Sequence, residues 1–98
     1  MSAATFSAPL RIAAAHPSLA GHFPGHPVVP GVVLLQRVAA ALRQWRGLPM
    51  AGFDAKFLAL LLPEQDATIE LQADALRVRF AIRRDATLLA RGSVECAP

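Results

Sequence analysis

Residues 21–32 read Gly21-His22-Phe23-Pro24-Gly25-His26-Pro27-Val28-Val29-Pro30-Gly31-Val32, and the chain changes character on either side of them. Across residues 16–31, four prolines and three glycines exclude a regular helix or a central strand. The composition switches at once after Gly31. Residues 32–46 are apolar and helix-compatible, with Pro30 and Gly31 placed just ahead of them, where missing or unpaired backbone donors cost least. Leu34, Leu35, Val38, Ala41, Leu42 and Trp45 recur at helical spacing on one face, and Gly47 follows as the stop. The expectation is a core helix of about four turns.

The period then changes from helical to alternating. Residues 53–61 form an apolar strand candidate, and Ile69 and Leu71 alternate with Glu70 and Gln72. Leu76, Val78, Phe80 and Ile82 alternate with Arg77, Arg79 and Arg83. A turn at residues 84–86 leads to Leu88, Ala90, Gly92, Val94 and Cys96, alternating with Leu89, Arg91, Ser93 and Glu95. Upstream of the turn-rich stretch, residues 9–15 offer a short opening or edge strand. Consecutive strands with one polar face imply an antiparallel sheet with its other side on the core, so one long helix and a meandering sheet imply an α+β layer fold.

Composition narrows the function classes. Ninety-eight residues, 54% of them hydrophobic, suit one domain spanning residues 1–98, with no repeat or linker-like stretch. A chain this short buries only about two thirds of its unfolded surface, which makes a second subunit a natural partner. Cys96 is the one cysteine, so no internal disulfide forms, and no Cys/His spacing suits structural zinc. No signal-like segment opens the chain, and the apolar run 28–35 is too short to span a bilayer and is broken by Pro30 and Gly31. A cytoplasmic protein is expected. The net charge is +3, and nine of the ten basic residues are arginine, which favours an acidic partner. Arg77, Arg79 and Arg83, with Arg84 adjacent, form a row that docks such a partner or is simply the solvated side of a sheet. Nucleic acid is disfavoured, since aromatic residues do not interleave with the basic ones and tyrosine is absent.

The motif at residues 21–32 resembles the signature of the 3-hydroxyacyl-acyl-carrier-protein dehydratases, in which a Gly-His-Phe-Pro-Gly turn precedes Pro-Gly-Val at the start of a central helix. Ala55-Lys56-Phe57, Leu62-Pro63 and Ile69-Glu70-Leu71 are similar to that family's second strand pair, and residues 82–96 to its closing hairpin. The resemblance implies a hotdog fold, in which an antiparallel sheet wraps one central helix. It also implies a dimer with the substrate tunnel at the subunit interface, acyl carrier protein bearing a 3-hydroxyacyl thioester as the partner, and no cofactor.

Dehydrating such a thioester requires a base for the α-proton, donors for the developing enolate oxygen and an acid for the departing hydroxyl. The resemblance assigns the base to His22, on a turn stiffened by proline and glycine, and the carbonyl donor to the Gly31 amide. Phe23, Pro24, Pro30 and Val32 would line the substrate. Gly31 has a plainer reading as well, permitting the tight entry into the helix. The family carries Glu or Asp where this chain has Gln36, and no other carboxylate lies between residues 32 and 50. Gln36 binds or orients a hydroxyl or a water but gives up no proton at neutral pH. A plainer reading places it at the polar side of the helix with Arg37, Arg43 and Gln44. His16 and His26 read as turn or pocket-mouth residues, and with no carboxylate or cysteine beside them the His16, His22, His26 trio is weak as a metal site. Three functions follow from these residues. The first is a dehydratase of a fatty-acyl or polyene-type pathway. The second is a non-catalytic hotdog subunit that binds acyl carrier protein or pairs with an active dehydratase. The third is a hotdog thioesterase.

Overall fold

The computed structural model describes residues 4–16, 28–74 and 77–96. In chain order these form β1 (Thr5–Leu10), α1 (Gly31–Arg46), β2 (Met50–Phe57), β3 (Ala67–Asp74), β4 (Arg77–Arg84) and β5 (Thr87–Cys96). Every neighbouring pair of strands is antiparallel, and the sheet order is β1-β3-β4-β5-β2. The helix packs against β1, β2 and β3. This is the hotdog arrangement, one helix cradled by a single sheet.

The periodicities explain the packing. Val33, Leu34, Leu35, Val38, Ala41 and Leu42 turn one side of α1 to the sheet and are buried. Ala67, Ile69 and Leu71 of β3 and Val78, Phe80 and Ile82 of β4 occupy alternate positions, and they meet the helix in a core that includes Ile12, Leu61, Leu89 and Val94. Helix α1 ends where Gly47 adopts φ +72°, and its N–H donates to the Arg43 carbonyl at 2.7 Å, the left-handed closure that glycine favours.

Three boundaries differ from the sequence expectation. The opening strand lies at Thr5–Leu10 and not at residues 9–15, because its ladder with β3 runs from Thr5↔Gln72 to Leu10↔Ala67 and the alanine run lies beyond it. The second strand stops at Phe57 and does not reach residue 61. Beyond it, the Leu58 and Ala59 amides both donate to the Leu89 carbonyl, at 2.8 and 3.1 Å, and Leu61 turns into the core. In β5 the expected alternation breaks at its start. Ile82 pairs with Ala90 while Arg83 pairs with Leu88, so Leu89 is an extra residue, and it is buried beside Ala90.

Candidate functional site

The start of α1 holds the described part of the motif. Proline at position 30 fixes an extended N-cap, φ −63° and ψ 147°, that carries no side-chain acceptor. Just before it, the Val29 amide donates to the Leu61 carbonyl at 2.9 Å. The Val33 and Leu34 amides reach back to the Pro30 carbonyl, at 3.0 and 3.4 Å. Among the described residues, the Gly31 and Val32 amides have no acceptor. No acidic side chain stands in the first turn, while Arg43 and Arg46 stand in the last. The helix start therefore offers two free N–H donors at the uncompensated positive end of its dipole, which suits an oxygen that gains negative charge.

Gly31 has a structural duty too. A Cβ built there would lie 2.8 Å from Phe57 Cζ and 3.1 Å from each neighbouring ring carbon, so the end of β2 packs directly on the glycine. No motif in the sequence marks Phe57 as part of the site. No periodicity could reveal it, because the contact joins an edge strand to a helix 26 positions earlier in the chain.

The other expected residues separate into two groups. Val32, 60% exposed, and Gln36 are exposed one turn apart on the side of α1 away from the core. The Gln36 amide has no hydrogen-bond partner among the described residues. His22, Phe23, Pro24 and His26 lie outside the described residues. The structure thus brings Pro30, Gly31, Val32 and Gln36 together along the first two turns of one helix.

The arginine row proves to be mostly occupied. Arg77 pairs with Glu95 at 2.6 Å and Arg83 with Glu70 at 2.7 Å, while Arg84 donates to the Leu60 carbonyl and to Gln65 Oε1. Glu95 raises the Arg77 pKa above its already high ordinary value. Both ion pairs are about half exposed and screened by solvent, so each contributes little to stability. A groove of about 910 Å³ on the outer sheet face is lined by Lys56, Arg79 and Arg91 among others, and it includes neither Gly31 nor Gln36.

The profile of the family described as ApeI-like, ApeI dehydratase, matches residues 1–93. The chain belongs to this family. The family is one of hotdog-fold proteins like the 3-hydroxyacyl-acyl-carrier-protein dehydratases. One such dehydratase, FabZ of Thermus thermophilus, is 48% identical over 40 residues, a match covering 37% of this chain and 28% of the relative. Among solved structures, the dehydratase heterocomplex ApeI:P from Xenorhabdus doucetiae superposes with a TM-score of 0.84 over 96% of this chain and 88% of that one, at 19% identity. A 1,4-dihydroxy-2-naphthoyl-CoA thioesterase from Synechocystis follows the same fold, with a TM-score of 0.70 over 95% of this chain and 80% of that one, at 22% identity. No helix among the described residues of this ApeI-like chain is long and apolar enough to cross a membrane.

Proposed function

We propose that this ApeI-like chain is a cytoplasmic lyase that dehydrates 3-hydroxyacyl groups carried as thioesters on acyl carrier protein, in a fatty-acyl or polyene-type pathway. The observation that carries this reading is the pair of unpartnered amides at Gly31 and Val32, directly after the Pro30 turn of the motif. In the proposed reaction His22 removes the α-proton, and the Gly31 N–H holds the enolate-like oxygen. The C–O bond to the 3-hydroxyl then breaks, and the proton taken up by His22 is available to the leaving hydroxide, so the products are an enoyl thioester and water. Gln36 orients the hydroxyl or a water. Phe23, Pro24, Pro30 and Val32 contact the acyl chain.

The proposed assembly is a pair of hotdog subunits, identical or not, joined through the free edge at β2. Phe53 and Phe57 are 56% and 47% exposed there, whereas the other free edge, β1, is guarded by Pro9. A second reading, a non-catalytic subunit that completes an active partner, is favoured by Gln36 alone, since no carboxylate replaces it on the exposed side of α1. The thioesterase reading rests on shared fold, and it meets the same absence of a carboxylate.

Conversion of a 3-hydroxyacyl thioester, followed by enoyl absorbance in the parent, His22→Ala and Gln36→Glu, separates these readings. His22 here serves as both base and acid, and a separate general acid at position 36 would contribute about 10²- to 10⁴-fold. The parent should turn over slowly, His22→Ala should be inert yet folded, and Gln36→Glu should gain activity. Activity retained in His22→Ala removes the mechanism. Inertness of both the parent and Gln36→Glu favours the partner-subunit reading.

A further inference from the structure

The connection between β2 and β3 carries a backbone anomaly. Glu64 adopts φ +66°, in the left-handed region that disfavours any residue with a Cβ. Its side chain is half exposed, so core packing does not hold it there. What holds it is a set of contacts to the chain just after β1. The Glu64 N–H donates to the Ile12 carbonyl at 2.8 Å. Glu64 Oε1 accepts the Ala14 amide at 2.8 Å, and Oε2 accepts the Arg11 guanidinium at 3.0 Å. Arg11 also reaches Asp66 Oδ1 at 3.0 Å.

Three residues earlier in the same connection, the Leu61 carbonyl accepts the Val29 amide. Residues 61–66 therefore grip the chain at Ile12 and Ala14 on one side of the motif stretch and at Val29 on the other. The connection is itself anchored, because Arg84 at the end of β4 donates to the Leu60 carbonyl at 2.9 Å and to Gln65 Oε1 at 3.0 Å, and Gln65 Oε1 also accepts the Leu62 amide. Ile12, Leu61 and Val29 are buried, which makes these anchor points rigid.

We propose that Glu64 is a positioning residue: by holding Ile12 and Ala14 while Leu61 holds Val29, it sets the two described ends of the motif stretch relative to each other and to the Gly31 amide that follows Val29. The kinetic half of this proposal rests on the dehydratase reading above, and the clamp itself does not. Backbone strain kept at a half-exposed position, where glycine would be free of it, marks a conformation retained for what it holds. The Ala14 amide foremost, and then Arg11, keep the Glu64 carboxyl below its ordinary range, consistent with an ionised clamp.

The test compares Glu64→Gly and Glu64→Gln with the parent. Glycine relieves the φ +66° strain but removes the grip, whereas glutamine keeps an acceptor for the Ala14 amide. Glu64→Gly should leave the thermal midpoint unchanged or raised, speed Ala14 amide exchange at least about ten-fold, and lower kcat about 10- to 100-fold with KM little changed, as expected when the ends of the motif stretch shift against the Gly31 amide. Glu64→Gln should keep most of kcat. Midpoint and kcat falling together in Glu64→Gly would mark Glu64 as merely structural. An unchanged kcat, or glutamine failing as badly as glycine, would also overturn the proposal. If the parent is inert, the dehydratase reading falls by itself, and Ala14 exchange decides the clamp: acceleration in Glu64→Gly upholds it, and parental exchange overturns it.

Discussion

Replacing Gly31 by alanine tests whether the motif glycine is held by Phe57 packing. The new Cβ would stand 2.8 Å from Phe57 Cζ, well inside the 3.5–4.0 Å optimum for carbon pairs, so the ring must withdraw by about 1 Å. Crowding of this kind costs about 1–3 kcal/mol, at the low end here because Phe57 is 47% exposed on an edge strand and has room to swing. Against this, alanine is favoured over glycine in a helix by roughly 0.5–1 kcal/mol, and by less in the first turn. The net loss should be about 0.5–2 kcal/mol, and each kcal/mol lowers the midpoint of a chain this size by about 4–8 °C. In a Phe57→Ala background the obstruction is gone and only the helix preference remains. Gly31→Ala should then be neutral or stabilising. Urea or thermal unfolding of the parent, both single variants and the double variant, at one protein concentration, measures the coupling, which should be about 1–3 kcal/mol. An equal cost of Gly31→Ala in both backgrounds would refute the packing argument and leave the glycine to its amide.

Gly47→Ala isolates backbone strain, because a Cβ there meets nothing within 4 Å while φ stays at +72°; a loss of about 1–2 kcal/mol in unfolding free energy is expected, with no change in the slope of the urea transition. Acid titration of stability tests the Glu64 clamp. Its carboxyl pKa is lower in the folded chain than in free glutamate, with Ala14 N–H and Arg11 facing it and Asp66 sharing Arg11. Its stabilisation is therefore present above the ordinary carboxylate range and is lost as the pH falls through the folded-state value, and Glu64→Gln should flatten the acid limb of midpoint against pH.

Much of the architecture was legible because periodicity is a local property. The helix expected over residues 32–46 forms over Gly31–Arg46, and Gly47 closes it as read. The alternation of Ile69 and Leu71, and of Val78, Phe80 and Ile82, places these side chains in the core, since the pleat sends every second residue to one face. The strand ends were less legible. Residues 58–61 are as apolar as a buried strand, yet two of their amides turn to one carbonyl of Leu89, and no local pattern announces that competition. Nor did alternation distinguish Leu88 from Leu89, because a bulge against Ile82 and Arg83 shifts the phase by one residue.

The site divides along the same line. Residue order is enough to define the motif, the Pro30-Gly31 entry to the helix and the glutamine at position 36, because each is a statement about residue types at fixed separations along the chain. It also determined the alternation that makes a one-sided sheet. The tertiary structure alone decided that β1 lies beside β3 and β2 beside β5, leaving the β2 edge open. It alone decided that Phe57 covers Gly31, that three of the four arginines in the row are engaged by Glu95, Glu70 and the Leu60–Gln65 turn, and that Glu64 takes a left-handed backbone to grip Ile12 and Ala14. These contacts join residues up to 67 positions apart, as Thr5 and Gln72 are, and chain composition near either partner carries no record of the other. Which partners meet depends on sheet register and helix placement, which are set only when the whole core packs at once.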